Sequence, residues 1–116
     1  MQRKFRLTRS EDFKRVRRSG KSYAHPLVVL IVQAYDQPHV KVGVTAGRTV
    51  GTAIYRNRAK RLLREAMRPL LPSLASGFDL ILVARPGLVP ATLEETRQAL
   101  LTLLQRAKIL IPLNES

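Results

Sequence analysis

Residues 40–68 read VKVGVTAGRTVGTAIYRNRAKRLLREAMR, and the spacing of apolar residues changes period within that stretch. Val40, Val42 and Val44 alternate with Lys41, Gly43 and Thr45, the period of two of a half-buried β-strand. Gly47, Gly51 and the polar residues between them form a loop, with Gly51 or Thr52 as the cap of a helix. From Tyr55 onward the period becomes 3.6. At about 100° per residue, Asn57, Lys60, Arg61, Arg64 and Arg68 fall within an arc of about a third of a turn. Ala59, Leu62, Leu63, Ala66 and Met67 fall on the opposite side, and Tyr55 and Leu70 extend that apolar stripe. The basic face is costly to an isolated helix. Lys60 with Arg64, and Arg64 with Arg68, place like charges at i,i+4, worth roughly 0.2–0.5 kcal/mol of destabilisation per pair. Glu65 alone offers relief nearby. A face so cationic and so poor in counter-charges points to a polyanion rather than to an ordinary solvated surface.

Working outward toward the N-terminus, Asp36-Gln37-Pro38-His39 is a turn, preceded by a β-branched apolar segment from Ser22 to Tyr35. That segment and the strand after the turn are expected to form a hairpin. Pro26 divides the first strand into a short and a longer piece, unless the strand runs through unbroken. Thr8-x-x-Glu11 is a capping box opening a short helix, with Phe13 and Val16 as its apolar stripe and Gly20 at its end. Lys14, Arg15, Arg17 and Arg18 cover the rest of that helix. Toward the C-terminus, Pro69 and Pro72 stop the basic helix. Phe78 to Ala84 (FDLILVA) is a buried strand between Gly77 and Pro86. Thr92-x-x-Glu95 is a second capping box, opening a helix that carries Leu93, Leu100, Leu103, Leu104 and Ala107 and ends near Ile111-Pro112.

The order α, β, β, α, β, α predicts an α+β fold, a small α/β sandwich with a mixed sheet and helices packed on it. The sheet has four strands if Pro26 divides the first, three if it does not. Strand order is left open. A chain of 116 residues is expected to be one domain over 1–116, with short flexible ends at 1–5 and 112–116.

Composition narrows the partner. The formal net charge is +13 on 13.1 kDa, with a pI of 11.5, which is a statement about association with nucleic acid or another anionic surface. The charge is uneven: of the 21 Lys and Arg, only Arg85, Arg97, Arg106 and Lys108 lie beyond residue 68. The first part of the chain is expected to bind and the second to complete the fold. There is no cysteine, hence no disulfide, no thiolate metal site and no thiol nucleophile. The start MQRKFRLTRSEDF lacks the apolar core of a signal peptide, and Leu27–Val32, the longest apolar stretch, is too short to span a bilayer. A cytoplasmic protein without a membrane partner is expected.

Catalytic chemistry is not legible. His25 and His39 stand at a strand start and in a turn with no carboxylate motif beside them, and read as turn or surface residues. The eight carboxylates are scattered, Glu11, Glu94 and Glu95 serve helix N-termini, and Asp79 alone is no metal site. Gly43-x-x-x-Gly47 lacks the Lys-Ser/Thr of a phosphate loop and reads as a turn. No cofactor motif is present, and the polypeptide alone is not expected to be an enzyme. No helix-turn-helix, zinc module or basic zipper suggests DNA. A basic, Arg-rich helix beside a sheet makes a groove that suits single-stranded nucleic acid, with Phe13, Tyr23, Tyr35 and Tyr55 as available stacking groups and Arg9, Lys14 and Arg48 as additional basic contacts.

Tyr55-Arg56-Asn57-Arg58-Ala59-Lys60-Arg61-Leu62-Leu63-Arg64-Glu65 resembles the RNR signature (R-N-R-x-K-R-x-x-R-E) of the bacterial ribonuclease P protein subunit. Phe5-Arg6-Leu7 and Asp12-Phe13 resemble the family's opening segment, Val42-Gly43-Val44 its hairpin strand, and Phe78-Asp79 with Val83-Ala84-Arg85 its late strand. The resemblance implies a protein cofactor for a catalytic RNA that removes 5′ leaders from precursor tRNA, with the RNA and its magnesium performing the hydrolysis. It implies catalytic-RNA contacts at Arg56, Asn57, Arg58, Lys60, Arg61 and Arg64, which Arg68 extends along the same helix face. It also implies a leader cleft lined by Phe13 and floored by Val29 and Ile31. Arg17 stands where many members have a second aromatic, so a cation contact replaces stacking there. Gly47-Arg48-Thr49 stands where many have Ser-Lys-Lys. The fold so implied is ribosomal-protein-like, with a left-handed β-α-β crossover. A non-catalytic structural RNA-binding protein, such as a small ribosomal protein, shares the charge and fold class and differs only in lacking the RNR spacing.

Overall fold

The computed structural model describes residues 3–111. Seven elements form the fold: α1 (Ser10–Ser19), β1 (Lys21–Ala24), β2 (Val28–Ala34), β3 (Val40–Ala46), α2 (Ala53–Met67), β4 (Phe78–Ala84) and α3 (Leu93–Arg106). The sheet runs β1-β2-β4-β3, with β1–β2 and β2–β4 antiparallel and β4–β3 parallel. Pro26 falls in the turn between β1 and β2, so the four-stranded alternative holds. The divided segment folds back on itself as a hairpin.

The expected hairpin between β2 and β3 does not form, because β4 is inserted between them. Burial explains the order. β2 and β4 are mainly apolar on both faces and largely buried on both, so each gains most from the middle of the sheet. β3 offers Lys41, Gly43 and Thr45 on one face and loses little at the side. Its outer edge is still covered: Arg6 bridges to Val42 in parallel, and the Leu7 N–H donates to the Val42 carbonyl at 3.0 Å.

Alternation sorts each strand onto two layers. Leu30, Val32, Val42, Leu80 and Leu82 face α2 and α3, where Leu63, Met67, Leu100, Leu103 and Leu104 complete the main core. Ile31 and Ile81 face the other way, under Leu7 and Val16, with Phe13, Val29 and Val83 packed at the margin. α1 is therefore alone on its face of the sheet, and a ten-residue helix cannot cover it all.

Of the two sequence capping boxes, one forms. The Thr92–Glu95 capping box forms in both directions, Thr92 Oγ1 accepting from Glu95 N at 3.1 Å and Glu95 Oε1 accepting from Thr92 N at 2.9 Å. The one expected at Thr8 does not. α1 starts a residue later, with Arg9 at the cap, and Glu11 is held by Arg9 Nη2 at 2.6 Å instead. α3 ends at Arg106, short of Ile111. Lys108 takes φ +59°, Lys108 N donates to the Gln105 carbonyl and Ile109 N to the Leu104 carbonyl, which closes the helix in a Schellman turn. Leu110 then bridges to Leu74. Tyr55, expected in the apolar stripe of α2, is exposed. Of the ends expected to be flexible, residues 1–2 and 112–116 lie outside the described residues, whereas Arg3–Phe5 form a single 3₁₀ turn.

Candidate nucleic-acid interface

α2 carries its cations in two rows rather than one. Asn57, Arg58, Arg61 and Arg68 are exposed, whereas Arg56, Lys60 and Arg64 are half-buried along the flank beside Leu63 and Met67. The single basic face expected from the helical spacing is thus split by packing. Arg68 is also partly committed, because Glu65 accepts a hydrogen bond from it. Thr52 caps α2 by position, without a side-chain hydrogen bond.

The half-buried row meets a residue not expected among the RNA contacts. Burial, and then the charge of Arg6, pull the Arg64 pKa below the ordinary guanidinium value. The N-terminal segment that covers β3 therefore brings Arg6 within electrostatic reach of Arg64, and the cationic surface continues from α2 onto that segment. Arg56 keeps its Nε buried without a protein partner. An anion would relieve both arrangements. No sequence periodicity relates Arg6 to Arg64, since their proximity depends on the Arg6–Val42 bridge.

On the opposite face of the sheet, strand register arranges side chains in rows. Ala24, Val29, Val83 and Thr45 form one row, Ser22, Ile31, Ile81 and Gly43 the next, and Gln33, Asp79 and Lys41 the third. α1 lies over the second row. Gly43, read as part of a turn, is in the middle of β3 and seats the Phe13 ring: a Cβ there would stand 2.4 Å from Phe13 Cζ. Gly20 likewise admits Ile31, whose Cγ2 would be 2.8 Å from an added Cβ. Ile31 is consequently buried and belongs to the core, which corrects its expected place on an open floor. Val29, Val83 and Thr45 remain only half covered. Phe13, half-buried, and Arg17, one turn further along the same flank of α1 and exposed, border this uncovered strip. The result is a half-covered, mainly aliphatic strip of sheet beside one aromatic ring, with an exposed cation on the flanking helix.

The third row anchors α1. Asp79 is 1% exposed, and its carboxylate accepts from Arg15 Nη2 at 2.6 Å and lies 3.2 Å from His39 Nε2. Arg15 also donates to Gln33 and to Asp12 Oδ1, and its guanidinium lies 4.1 Å from the centre of the Tyr35 ring. Burial is the largest influence on Arg15 and opposes its charge. The hydrogen bonds and charges of Asp79 and Asp12 together outweigh it, so the Arg15 pKa is raised. His39, read from the sequence as having no carboxylate beside it, acquires one through the fold. Tyr35 is thereby engaged by Arg15, Tyr23 packs on the main core with Arg106 6.0 Å from its ring, and Tyr55 lies over Gly51.

Among the remaining expected contacts, Arg9 is paired with Glu11, while Lys14 and Arg48 are exposed without an ion-pair partner among the described residues. No group of three or more His, Cys, Asp or Glu residues able to hold a metal ion occurs among the described residues. No described helix is long and apolar enough to cross a membrane.

Comparison with known proteins decides the family. A family model described as Ribonuclease P matches residues 1–108. The chain belongs to the ribonuclease P protein family. It is 40% identical to the ribonuclease P protein component of Herpetosiphon aurantiacus over 109 residues, covering 94% of this chain and 89% of that one. The RNase P protein of Staphylococcus aureus matches in structure with a TM-score of 0.81 at 25% identity, covering 91% of this chain and 97% of that one. A mutant of that Staphylococcus protein "with defective mRNA degradation activity" matches at the same TM-score of 0.81 and 25% identity, covering 90% of this chain and 89% of that one. The RNase P protein of Thermotoga maritima matches with a TM-score of 0.77 at 28% identity, covering 87% of this chain and 96% of that one. These matches favour the ribonuclease P reading over the small ribosomal protein, and the four-stranded mixed sheet with three helices is the fold of these ribonuclease P proteins.

At Arg64, binding and stability are expected to respond in opposite directions. Arg64→Gln removes a charge that burial and Arg6 both disfavour, and should leave the melting temperature unchanged or slightly raised. The same change should weaken ribonuclease P RNA binding by roughly fivefold and flatten its salt dependence by about one unit of slope. A variant that loses stability and keeps its affinity would show that Arg64 serves the fold alone.

Proposed function

We propose that this chain is the protein subunit of a bacterial ribonuclease P ribonucleoprotein and holds two RNAs on opposite layers of its sheet. The catalytic RNA lies along α2, against Arg56, Asn57, Arg58, Lys60, Arg61, Arg64 and Arg68, with Arg6 continuing that surface. The single-stranded 5′ leader of precursor tRNA lies in the cleft on the other face. The observation that carries this reading is the uncovered strip Val29–Val83–Thr45 beside Phe13 and Arg17, on the face away from α2. An aliphatic floor with an aromatic wall takes splayed bases, and a duplex keeps its bases stacked inside and cannot use it. Arg17, Lys14 and Arg48 supply charge for the backbone, and Arg9 adds to it despite its pairing with Glu11.

Hydrolysis belongs to the RNA in this reading. Glu11, Asp12, Glu65, Asp79 and Glu94 are each paired with an arginine and Glu95 closes a cap, and among the described residues no carboxylate cluster is available for a magnesium ion. Magnesium is accordingly assigned to the RNA-containing holoenzyme, and no step is routed through protein ligands. The protein raises affinity for substrates that carry a leader. Its place of action is the bacterial cytoplasm, where precursor tRNA is made.

The test is a reconstitution. Protein freed of RNA should cleave neither precursor tRNA nor an unstructured mRNA, and the cognate RNA with magnesium should restore cleavage at the mature 5′ end. In that holoenzyme, Phe13→Ala should weaken binding of precursor tRNA with a long leader by roughly five- to a hundredfold, the worth of about 1–3 kcal/mol of base stacking. Mature tRNA should bind as before. Equal losses for both ligands, accompanied by a lower melting temperature, would make Phe13 a packing residue and remove the cleft from the proposal.

A further inference from the structure

A second concavity lies where α2 meets the start of α3, away from the cleft. It has a volume of about 480 Å³, with Arg58 and Arg61 on its α2 side, Leu62 and Ala91 within it, and Leu93 on its α3 side. Leu93 was expected to be in the apolar stripe of α3, yet it is 39% exposed, while Leu100, Leu103 and Leu104 further along are fully buried. Ile54, one turn before Arg58 on the same flank, is 78% exposed. The polar groups around the groove are already satisfied: Glu65 by Arg68, and Thr92 by its capping box. What remains unpartnered among the described residues is aliphatic surface and two guanidinium groups.

We infer that this groove receives an unpaired nucleobase of the catalytic RNA. The inference rests on the proposed binding of that RNA along α2 and names what one part of the surface recognises. Charge complementarity identifies the occupant. Arg58 and Arg61 require an anion at the rim, and a chain with a net charge of +13 repels a second copy of itself. A phosphate alone leaves Leu62, Ala91 and Leu93 wet. A nucleotide satisfies both, with its phosphate on the arginines, its flat base on the leucines and a guanidinium plane available for stacking. The base must be bulged or in a loop, because a paired base offers no face.

Leu93→Ala separates this contact from the phosphate contacts. The residue is the first of α3, is partly exposed and lies outside the capping hydrogen bonds, so the variant should melt like wild type. Its affinity for the cognate ribonuclease P RNA should fall at least about fivefold with the slope of log affinity against log salt unchanged. A photoreactive p-benzoylphenylalanine at position 93 should crosslink to one nucleotide outside the helical segments of that RNA. Unchanged affinity of Leu93→Ala, a shallower salt slope, or crosslinks confined to paired nucleotides would each overturn the base pocket. Failure of the wild-type protein to bind the RNA at all would instead overturn the underlying reading.

Discussion

Arg58→Glu with Arg61→Glu should lower affinity for the catalytic RNA by about a hundredfold or more while leaving the fold intact. Both side chains are exposed on α2 and neither has an ion-pair partner among the described residues, so neither contributes to folding. Each reversal replaces an attraction to phosphate by a repulsion, and like charges brought together at an interface cost several kcal/mol. Counterion release provides an independent readout. Losing two phosphate contacts should flatten the slope of log affinity against log salt by about 1.5–2 units. Binding titrations across a range of salt, with circular dichroism as the check on folding, measure both quantities. A folded double variant that binds like wild type would reduce the exposed row of α2 to a solvated surface. Arg64 makes a poorer partner for such a test, because its half-buried flank beside Arg6 ties any change there to packing.

The largest effect on stability is expected at Asp79, which no RNA need touch. Asp79→Ala strips the buried carboxylate from Arg15 and His39 beneath α1 and leaves the Arg15 guanidinium with only Gln33 and the half-buried Asp12 as partners. Removing one member of a buried ion pair costs about 3–5 kcal/mol. The Arg15 side chain is 22% exposed and can turn outward, so about 2–4 kcal/mol is expected here. For a domain of this size that lowers the melting temperature by roughly 10–15 °C. His39→Ala should cost far less, since Arg15 remains to pair with the carboxylate. Arg15→Met combined with Asp79→Leu should recover much of the loss, because a matched apolar pair carries no desolvation penalty. If Asp79→Ala melts within a degree or two of wild type, the pair does not hold α1 in place.

Most of the secondary structure was legible in one dimension. The switch from period two in Val40–Thr45 to period 3.6 after Tyr55 located β3 and α2, and the run FDLILVA located β4. The Thr92–Glu95 box located the start of α3, because both halves of that hydrogen bond lie within four residues. Thr8-x-x-Glu11 has the same spacing and failed, since Arg9 competes for the glutamate. Pattern identifies which hydrogen bonds are available locally and is silent on which neighbour wins. Leu93 and Tyr55 fit the apolar stripes of their helices and are nevertheless exposed, because each lies in the first turn, where the helix overhangs its packing partner.

The sequence by itself determined the cationic character of α2, the identity of its arginines and, through the RNR spacing, the family to which the chain belongs. These properties depend on residue type and on distances along one helix. Tertiary structure alone decided the strand order, the burial of Ile31, the meeting of Arg6 with Arg64 and the pairing of Asp79 with Arg15, 64 residues away. The reason is competition for the middle of the sheet. β2 and β4 both need two covered faces, and once they pair, β3 is displaced to the side. That places Gly43 under Phe13 and leaves one strip of sheet that a ten-residue helix cannot cover.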